Sequence, residues 1–394
     1  MNSQRTHWGI VILTVFVGVI AAMQVGKAPP AIPAIRADLL ITLVVAGWVM
    51  SLFNATSAVL GVTAGIAGDR VGHRSMILGG LACLFVGCTM GGVSTGALGL
   101  LLGRLVEGIG FVAVVVAAPS LIAEVTGSSD NRLALSAWST YMPAGIALMM
   151  LITPPLLATL GWRGLWLVNS GLIVVFAIVF AMGTRRVGSL STQHRRFADV
   201  RIALSRQGTW LLAACFATYA LQFFGLMSWL PTFLVEKLTY SSGQAAIITA
   251  FVVALNIVGN LLAGRLLQRG VPRWCLLAFA SGTLGVLALG VFAVNVPNLL
   301  QLAMAAAFSI VGGLIPSSLL AAVLEHSPSP AQVGTTNGIL VQGSNIGSFL
   351  SPPAFAFLVT HYGGWSQASW LLLIASCVGV GLAIRLHRVE LLSS

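Results

Sequence analysis

Acid is scarce in this chain: nine Asp and Glu stand against twenty Lys and Arg in 394 residues, and charged residues of both signs make up only 7%. A soluble domain of this length needs several times that share of charge on its surface. An ordinary water-soluble protein is therefore excluded, and the 57% hydrophobic content points to an integral membrane protein. Lysine is scarcer still, with Lys27 and Lys237 the only two. No G-x-x-x-x-G-K-[ST] loop occurs, so an ATP-driven pump would need a separate subunit. The five cysteines (Cys83, Cys88, Cys215, Cys275, Cys377) lie within apolar runs without metal-type spacing, where a thiol behaves as a small hydrophobe. Paired carboxylates and His-rich clusters are also missing, so the residues offer no enzyme chemistry, no metal site and no cofactor. The formal charge of +11 is dispersed over short loops rather than gathered in a basic domain, which argues against a nucleic-acid partner.

What the chain has in abundance is long apolar runs. Counting those of at least about 18 residues gives twelve spans. They fall near 8–33, 41–64, 75–94, 97–124, 133–158, 164–183, 209–234, 244–267, 274–294, 298–323, 333–359 and 366–385. The first is too long, and too poor in cleavage signals, to be a removable signal peptide, and stays as the first helix. An N-terminus on the inside puts Arg5, Arg70, Arg74, Arg132, the six arginines from Arg185 to Arg206, Arg265, Arg269, Arg273, Arg385 and Arg388 on one side. Only Arg36, Arg163 and Lys237 fall opposite. By the positive-inside rule both termini are cytoplasmic, in a multi-pass protein of a cell membrane, the inner membrane of a bacterium. The one long polar connection, Thr184 to Gly208, divides the chain into an N-terminal bundle (1–184), a cytoplasmic linker (185–208) and a C-terminal bundle (209–394).

The two bundles echo one another. Between spans 2 and 3 the chain reads GIAGDRVGHR from Gly65 to Arg74, and 199 residues later GRLLQRGVPR from Gly264 to Arg273. Gly65, Arg70 and Arg74 return as Gly264, Arg269 and Arg273, while Asp69 is replaced by Gln268. Gln24 and Pro33 recur as Gln222 and Pro231, and Pro154-Pro155 as Pro352-Pro353, each proline pair preceding a Gly-Trp (Gly161-Trp162, Gly364-Trp365). Landmarks returning at nearly one offset mark an internal duplication. The fold expected is an all-α membrane protein with twelve transmembrane helices in two pseudo-symmetric six-helix bundles.

Two such halves, a basic central loop and the Gly65, Asp69, Arg70, Gly72, Arg74 motif resemble the major facilitator superfamily over the whole chain. His73 stands where the family usually has a basic residue, and Arg104, Gly108 and Gly110 match its fourth helix. The antiporter signature of helix 5 is missing: Pro143, Ala144 and Gly145 are followed by bulky residues. The run from Trp229 to Leu234, with Ser-Ser-Gly-Gln after it, is similar to the cyanate-permease and anion-symporter branches. The resemblance implies transport by alternating access, by a monomer with a small-molecule substrate and lipid around it. It also implies gating by Gly65, Asp69, Arg70, Arg74 and Glu124 at the inner ends of the helices.

A charge at bilayer depth costs about 2.5–3.5 kcal/mol on insertion scales, so the few present are either functional or paired. Arg104 and Glu107 are three apart on one helix face. Glu107 is either a structural counter-ion or a group that exchanges a proton when Arg104 leaves it. Lys27, one turn after Gln24, either attracts an anion as a point charge or snorkels out to the headgroups. Tyr141, Tyr219, Gln222, Asn256, Gln342 and Asn345 are neutral groups that either orient a substrate or bond neighbouring helices. Gln24 and Gln222 stand out because they occupy equivalent positions in the two halves. With Lys27 and Arg104 as cations, the reading is proton-coupled uptake (symport) of a small organic or inorganic anion, substrate-binding at Gln24, Lys27, Arg104 and these neutral residues, and proton-coupling at Glu107. Efflux of amphipathic compounds is the rival, for which eighteen Phe and ten Trp supply apolar surface. A receptor that binds without transporting is a further alternative, to which no attached signalling domain corresponds.

Overall fold

A computed structural model describes residues 6–127, 130–138, 140–185, 206–327 and 333–393; the side chains of 62–70, 131–133, 136, 324, 333–335, 392 and 393 are outside the description. Every element among the described residues is helical. In chain order these are α1 Trp8–Gly26, α2 Ala28–Leu39, α3 Leu43–Val71, α4 His73–Gly92, α5 Ala97–Val125, α6 Asn131–Trp138 and α7 Tyr141–Gly183. After residue 206 come α8 Gln207–Met227, α9 Leu230–Glu236, α10 Ser242–Gln268, α11 Arg273–Val291, α12 Asn298–Gly312, α13 Leu314–His326, α14 Val333–His361 and α15 Trp365–Ser393.

Ten helical stretches among the described residues are long and apolar enough to span a bilayer. One of these, α7, runs 43 residues and carries a break at Gly161 (φ 65, ψ −179), so it holds two spans, and the 29-residue α14 completes the twelve. That backbone at Gly161 is essentially reserved for glycine, which is why a Gly-Trp can reverse the chain where a loop was expected between 158 and 164. The first span is longer than its expected end at 33. Pro29 and Pro30 open α2 directly after Lys27, withholding the N–H groups that Val25 and Gly26 would have received. The chain re-enters a helix at once and continues to Leu39. Pro231 stands at the same place in α9, and Pro316 follows the interruption at Gly313 between α12 and α13. Large apolar side chains such as Phe16, Phe251, Val286 and Trp370 are exposed, as a lipid-facing surface requires.

The described chain divides into two compact units, Met1–Ile41 with Ala55–Arg195, and Thr42–Asn54 with Arg196–Ser394. The start of α3 is thus grouped with the second unit, where Ser51 donates to the carbonyl of Phe349 and Trp48 lies 5.6 Å from the Phe349 ring. Residues 186–205, most of the expected linker, lie outside the description. In the first unit α1 packs on α7, and α4 packs on both α5 and α7. The second unit repeats the scheme, with α8 on α14, and α11 on both α12 and α15.

The α4–α5 crossing sets the depth of the site. A Cβ on Gly87 would lie 2.6 Å from the carbonyl oxygen of Gly103 and from the amide nitrogen of Glu107, and one on Gly110 would lie 2.4 Å from the carbonyl of Gly80. The backbones touch, as small-residue crossings in membranes allow. Replacing Gly87 by Leu should lower the thermal unfolding temperature in detergent, at a cost of about 1–3 kcal/mol or more from overpacking. Gly79→Leu on the same helix, which meets nothing within 4 Å, should leave it unchanged. Equal melting of the two variants would remove this crossing as a determinant of the fold.

Candidate functional site

Because α4 and α5 meet at glycine, Glu107 and Cys88 are brought together beside the end of α1. Arg104 and Glu107, one turn apart on α5, contact each other at 2.5 Å (Nη1 to Oε2). The other carboxylate oxygen, Oε1, receives the Lys27 ammonium at 2.9 Å. Lys27 Nζ also donates to Gln24 Oε1 at 2.8 Å and to Cys88 Sγ at 3.1 Å, so its three protons have three acceptors. The face of Trp166 lies 4.5 Å from the same nitrogen. Arg104 Nη1 donates in addition to the carbonyl of Gln24 at 2.9 Å.

Neutral groups hold this arrangement. Gln24 Nε2 donates to Asn169 Oδ1 at 3.3 Å and to the carbonyl of Ile20 at 3.1 Å, which turns its amide oxygen toward the ammonium. Asn169 is fixed in turn by a 2.9 Å bond to the carbonyl of Leu165, and the Cys88 thiol donates to the carbonyl of Trp166 at 3.0 Å. Lys27, Gln24, Glu107 and Trp166 are fully buried and Arg104 is 1% exposed. Two cations and one carboxylate therefore share a dry site with a surplus of one positive charge. Of the two sequence alternatives for Lys27, snorkelling is not what the chain does: the side chain points inward. Sequence reasoning passed over Cys88, Trp166 and Asn169. The signal available for Cys88 was its neighbour Gly87, whose small-residue match with Gly103 fixes which face of α4 meets Glu107.

Tyr141 is placed elsewhere in the first unit, half-buried and stacked 4.3 Å from Trp138, where α7 crosses α1 at Gly18. In the second unit the polar residues form a ladder. Asn256 Nδ2 donates to the Tyr219 hydroxyl at 3.1 Å and to the carbonyl of Ser309 at 2.9 Å. Asn260 donates to Asn256 Oδ1 at 2.9 Å, and Ser317 to Asn260 Oδ1 at 2.8 Å. Gln222 is fully buried, and its Oε1 has no partner. Gln342 and Asn345 are half-buried on α14.

At the basic end of the first unit Arg74 donates to the Thr184 hydroxyl and the carbonyl of Ala181, both at 3.0 Å, and so caps the end of α7. Glu124 pairs with His73 Nδ1 at 2.7 Å, rather than with Arg74. Gly65 lies within α3, and the side chains of Asp69 and Arg70 are outside the description. The repeat equivalent Arg273 contacts Glu325 at 2.7 Å and Glu390 at 2.8 Å, and His326 meets Glu390 at 3.1 Å. At the opposite end of the first unit Asp38 accepts from Arg163 at 2.5 Å and from the Trp162 indole at 3.1 Å, while Arg163 Nε donates to the carbonyl of Ser94.

The family model described as Major Facilitator Superfamily matches residues 14–352. The chain is similar to the probable sulfoacetate transporter SauU of Cupriavidus necator, 23% identical across 98% of this chain and 94% of that protein. It is also similar to the probable nitrate/nitrite antiporter NarK1 of Thermus thermophilus, 27% identical across 50% of this chain and 48% of that one. Among solved structures, a bacterial homolog of the human lysosomal transporter Spinster, in an inward-facing and occupied conformation, superposes with a TM-score of 0.81 at 15% identity, over 96% of each chain. At that identity the likeness is one of fold.

Removing the acid strands two buried cations at once. Glu107→Ala should therefore destabilise the protein by about 3–5 kcal/mol, the cost of breaking a buried pair. Lys27→Met added to it should recover part of the loss, because one of the stranded charges goes. A double variant that melts lower than Glu107→Ala would show that Glu107 is not what compensates the Lys27 charge.

Proposed function

Since the chain belongs to the major facilitator superfamily, and is thus a multi-pass membrane transporter, we propose that it carries a small organic or inorganic anion into the cell together with a proton, with the buried Lys27, Arg104 and Glu107 cluster as the coupling device. The observation that carries this reading is that Glu107 occupies both cations of the buried cluster. It acts as an internal anion. While it is ionised, a substrate anion would add a second negative charge to a site with a surplus of only one positive. Once it takes a proton, Lys27 and Arg104 are left with two positive charges in a low-dielectric site, which draws an anion in. Loss of the proton restores the competitor and expels the substrate. Proton and monovalent anion thus travel together without net charge, and an inwardly directed proton gradient drives accumulation.

The printed functions of the relatives, sulfoacetate for one and nitrate or nitrite for the other, support an anionic substrate. Gln24 is proposed to orient the ammonium. Tyr141, Tyr219, Gln222, Asn256, Gln342 and Asn345 are proposed neutral substrate contacts, with Gln222 foremost because its buried Oε1 has no partner. Gly65, Asp69, Arg70, Arg74 and Glu124 are proposed to gate the basic end. We place both termini in the cytoplasm of a bacterium, with the protein working as a monomer in the inner membrane.

Reconstituted vesicles with an imposed pH gradient and a panel of labelled sulfonates, carboxylates and nitrate provide the test. Glu107→Gln keeps a hydrogen-bond acceptor but no titration, and should exchange substrate across the membrane while failing to accumulate it. Lys27→Gln should raise the apparent KM for the anion about ten- to a hundred-fold, the worth of a charge-assisted hydrogen bond. A quaternary ammonium compound as best substrate, or pH-driven accumulation by Glu107→Gln, would contradict the proposal.

A further inference from the structure

A proton on Glu107 creates a moment at which Lys27 has lost its carboxylate and has not yet gained, or has already released, a substrate. An ammonium cannot stand unmet in a dry helix bundle, so something else must hold it. Of its remaining neighbours, Gln24 Oε1 and Cys88 Sγ each accept one hydrogen bond, and Trp166 offers the face of an indole at 4.5 Å.

Trp166 is a costly choice for mere filling. It is fully buried, and its Nε1 has no acceptor, an expense that Phe or Leu would avoid. Its orientation comes from packing instead. The edge of the indole lies over Gly91, where a Cβ would be 2.6 Å from Cδ1 and 2.7 Å from Nε1, and Trp162 meets it edge-on at 5.8 Å and 88°. Gly91 keeps the space that lets the ring turn its face to Lys27. Resting on the proton-coupled reading above, we infer that Trp166 is a positioning residue that seats the Lys27 ammonium by a cation–π contact during the carboxylate-neutral step, and so sets the pH at which transport turns on.

The charged or titratable groups around Glu107 are Lys27 from the α1–α2 junction, Arg104 from α5 and Cys88 from α4; α7 contributes Trp166 and Asn169, which do not titrate. Taking away the ring raises the energy of the state with Glu107 protonated and leaves the ionised state, in which the ammonium has its carboxylate, less affected. More acid is then needed to reach it.

Initial uptake of the best substrate, measured against external pH with internal pH clamped, reads this out. Trp166→Leu should move the half-maximal point acidward by about one pH unit, a desolvated cation–π contact converted at the usual free energy per unit. Trp166→Phe, which keeps a weaker aromatic face and spares the fold if Leu does not, should shift it in the same direction by less than half as much. Loss of shape alone would lower the rate at every pH without moving the midpoint, so unmoved midpoints in both variants overturn the role of Trp166. Equal shifts in Leu and Phe do the same, because they tie the effect to volume rather than to the ring. A wild-type profile that survives Glu107→Gln unchanged overturns the proton reading itself, a failure distinct from either of these.

Discussion

A lysine ammonium removed from water must be met on every side, and in this protein that requirement is satisfied by four helices at once. The acceptors of Lys27, itself at the junction of α1 and α2, come from α1, from α4 and from α5, and the ring from α7. None can withdraw without leaving a charge uncovered, so the interior of the first unit is tied together by one cation. The glycine crossing of α4 and α5 serves the same end, since only touching backbones bring Cys88 and Glu107 within reach of one amine. The second unit is built differently. Its interior joins α8, α10, α12 and α13 through neutral amides and hydroxyls, and an aromatic group of Phe233, Phe292, Phe355 and Trp365 fills its core near Trp229.

Duplication is equally visible at the helix ends, where matching residues have taken different partners. Arg74 and Arg273 both reach the last helical span of their own unit, but the first finds a hydroxyl and a carbonyl there, whereas the second finds the Glu390 carboxylate and takes Glu325 from α13 as well. Glu124 and Glu325, late in the fourth span of each half, both meet the start of the third, through His73 in one case and Arg273 in the other. Trp162 and Trp365 follow matching glycines. The former donates to Asp38, whereas the latter is packed among aromatic rings. The scaffold has been kept while the ionic wiring has drifted.

The architecture was legible because bilayer chemistry writes it in runs of apolar residues, in breaks marked by Gly and Pro, and in repeated landmarks. The Arg104–Glu107 contact was legible for the same kind of reason, since three residues on a helix share a face. The Lys27–Glu107 contact spans 80 residues and depends on which faces of three helices are turned together, which no local spacing encodes. Cys88 looked like packing because a thiol among apolar neighbours carries no mark of the amine opposite it. The first span runs past its expected end at 33 because Pro29 and Pro30 stand in the first turn of a new helix, where proline is tolerated, and that helix continues through Pro33 to Leu39.

Gly161 joins two membrane spans with no loop between them, and the turn is secured within two residues by Trp162 and Arg163. The chain has no slack there. One extra residue between Arg163 and Trp166 would rotate everything after it by about 100° around the helix axis. Trp166 and Asn169 would swing off Lys27 and Gln24 together, although neither had been changed. A change of length at the fifth-to-sixth span junction would therefore be felt at the buried cluster, even though the junction stands at the surface end of the helices where insertions ordinarily accumulate.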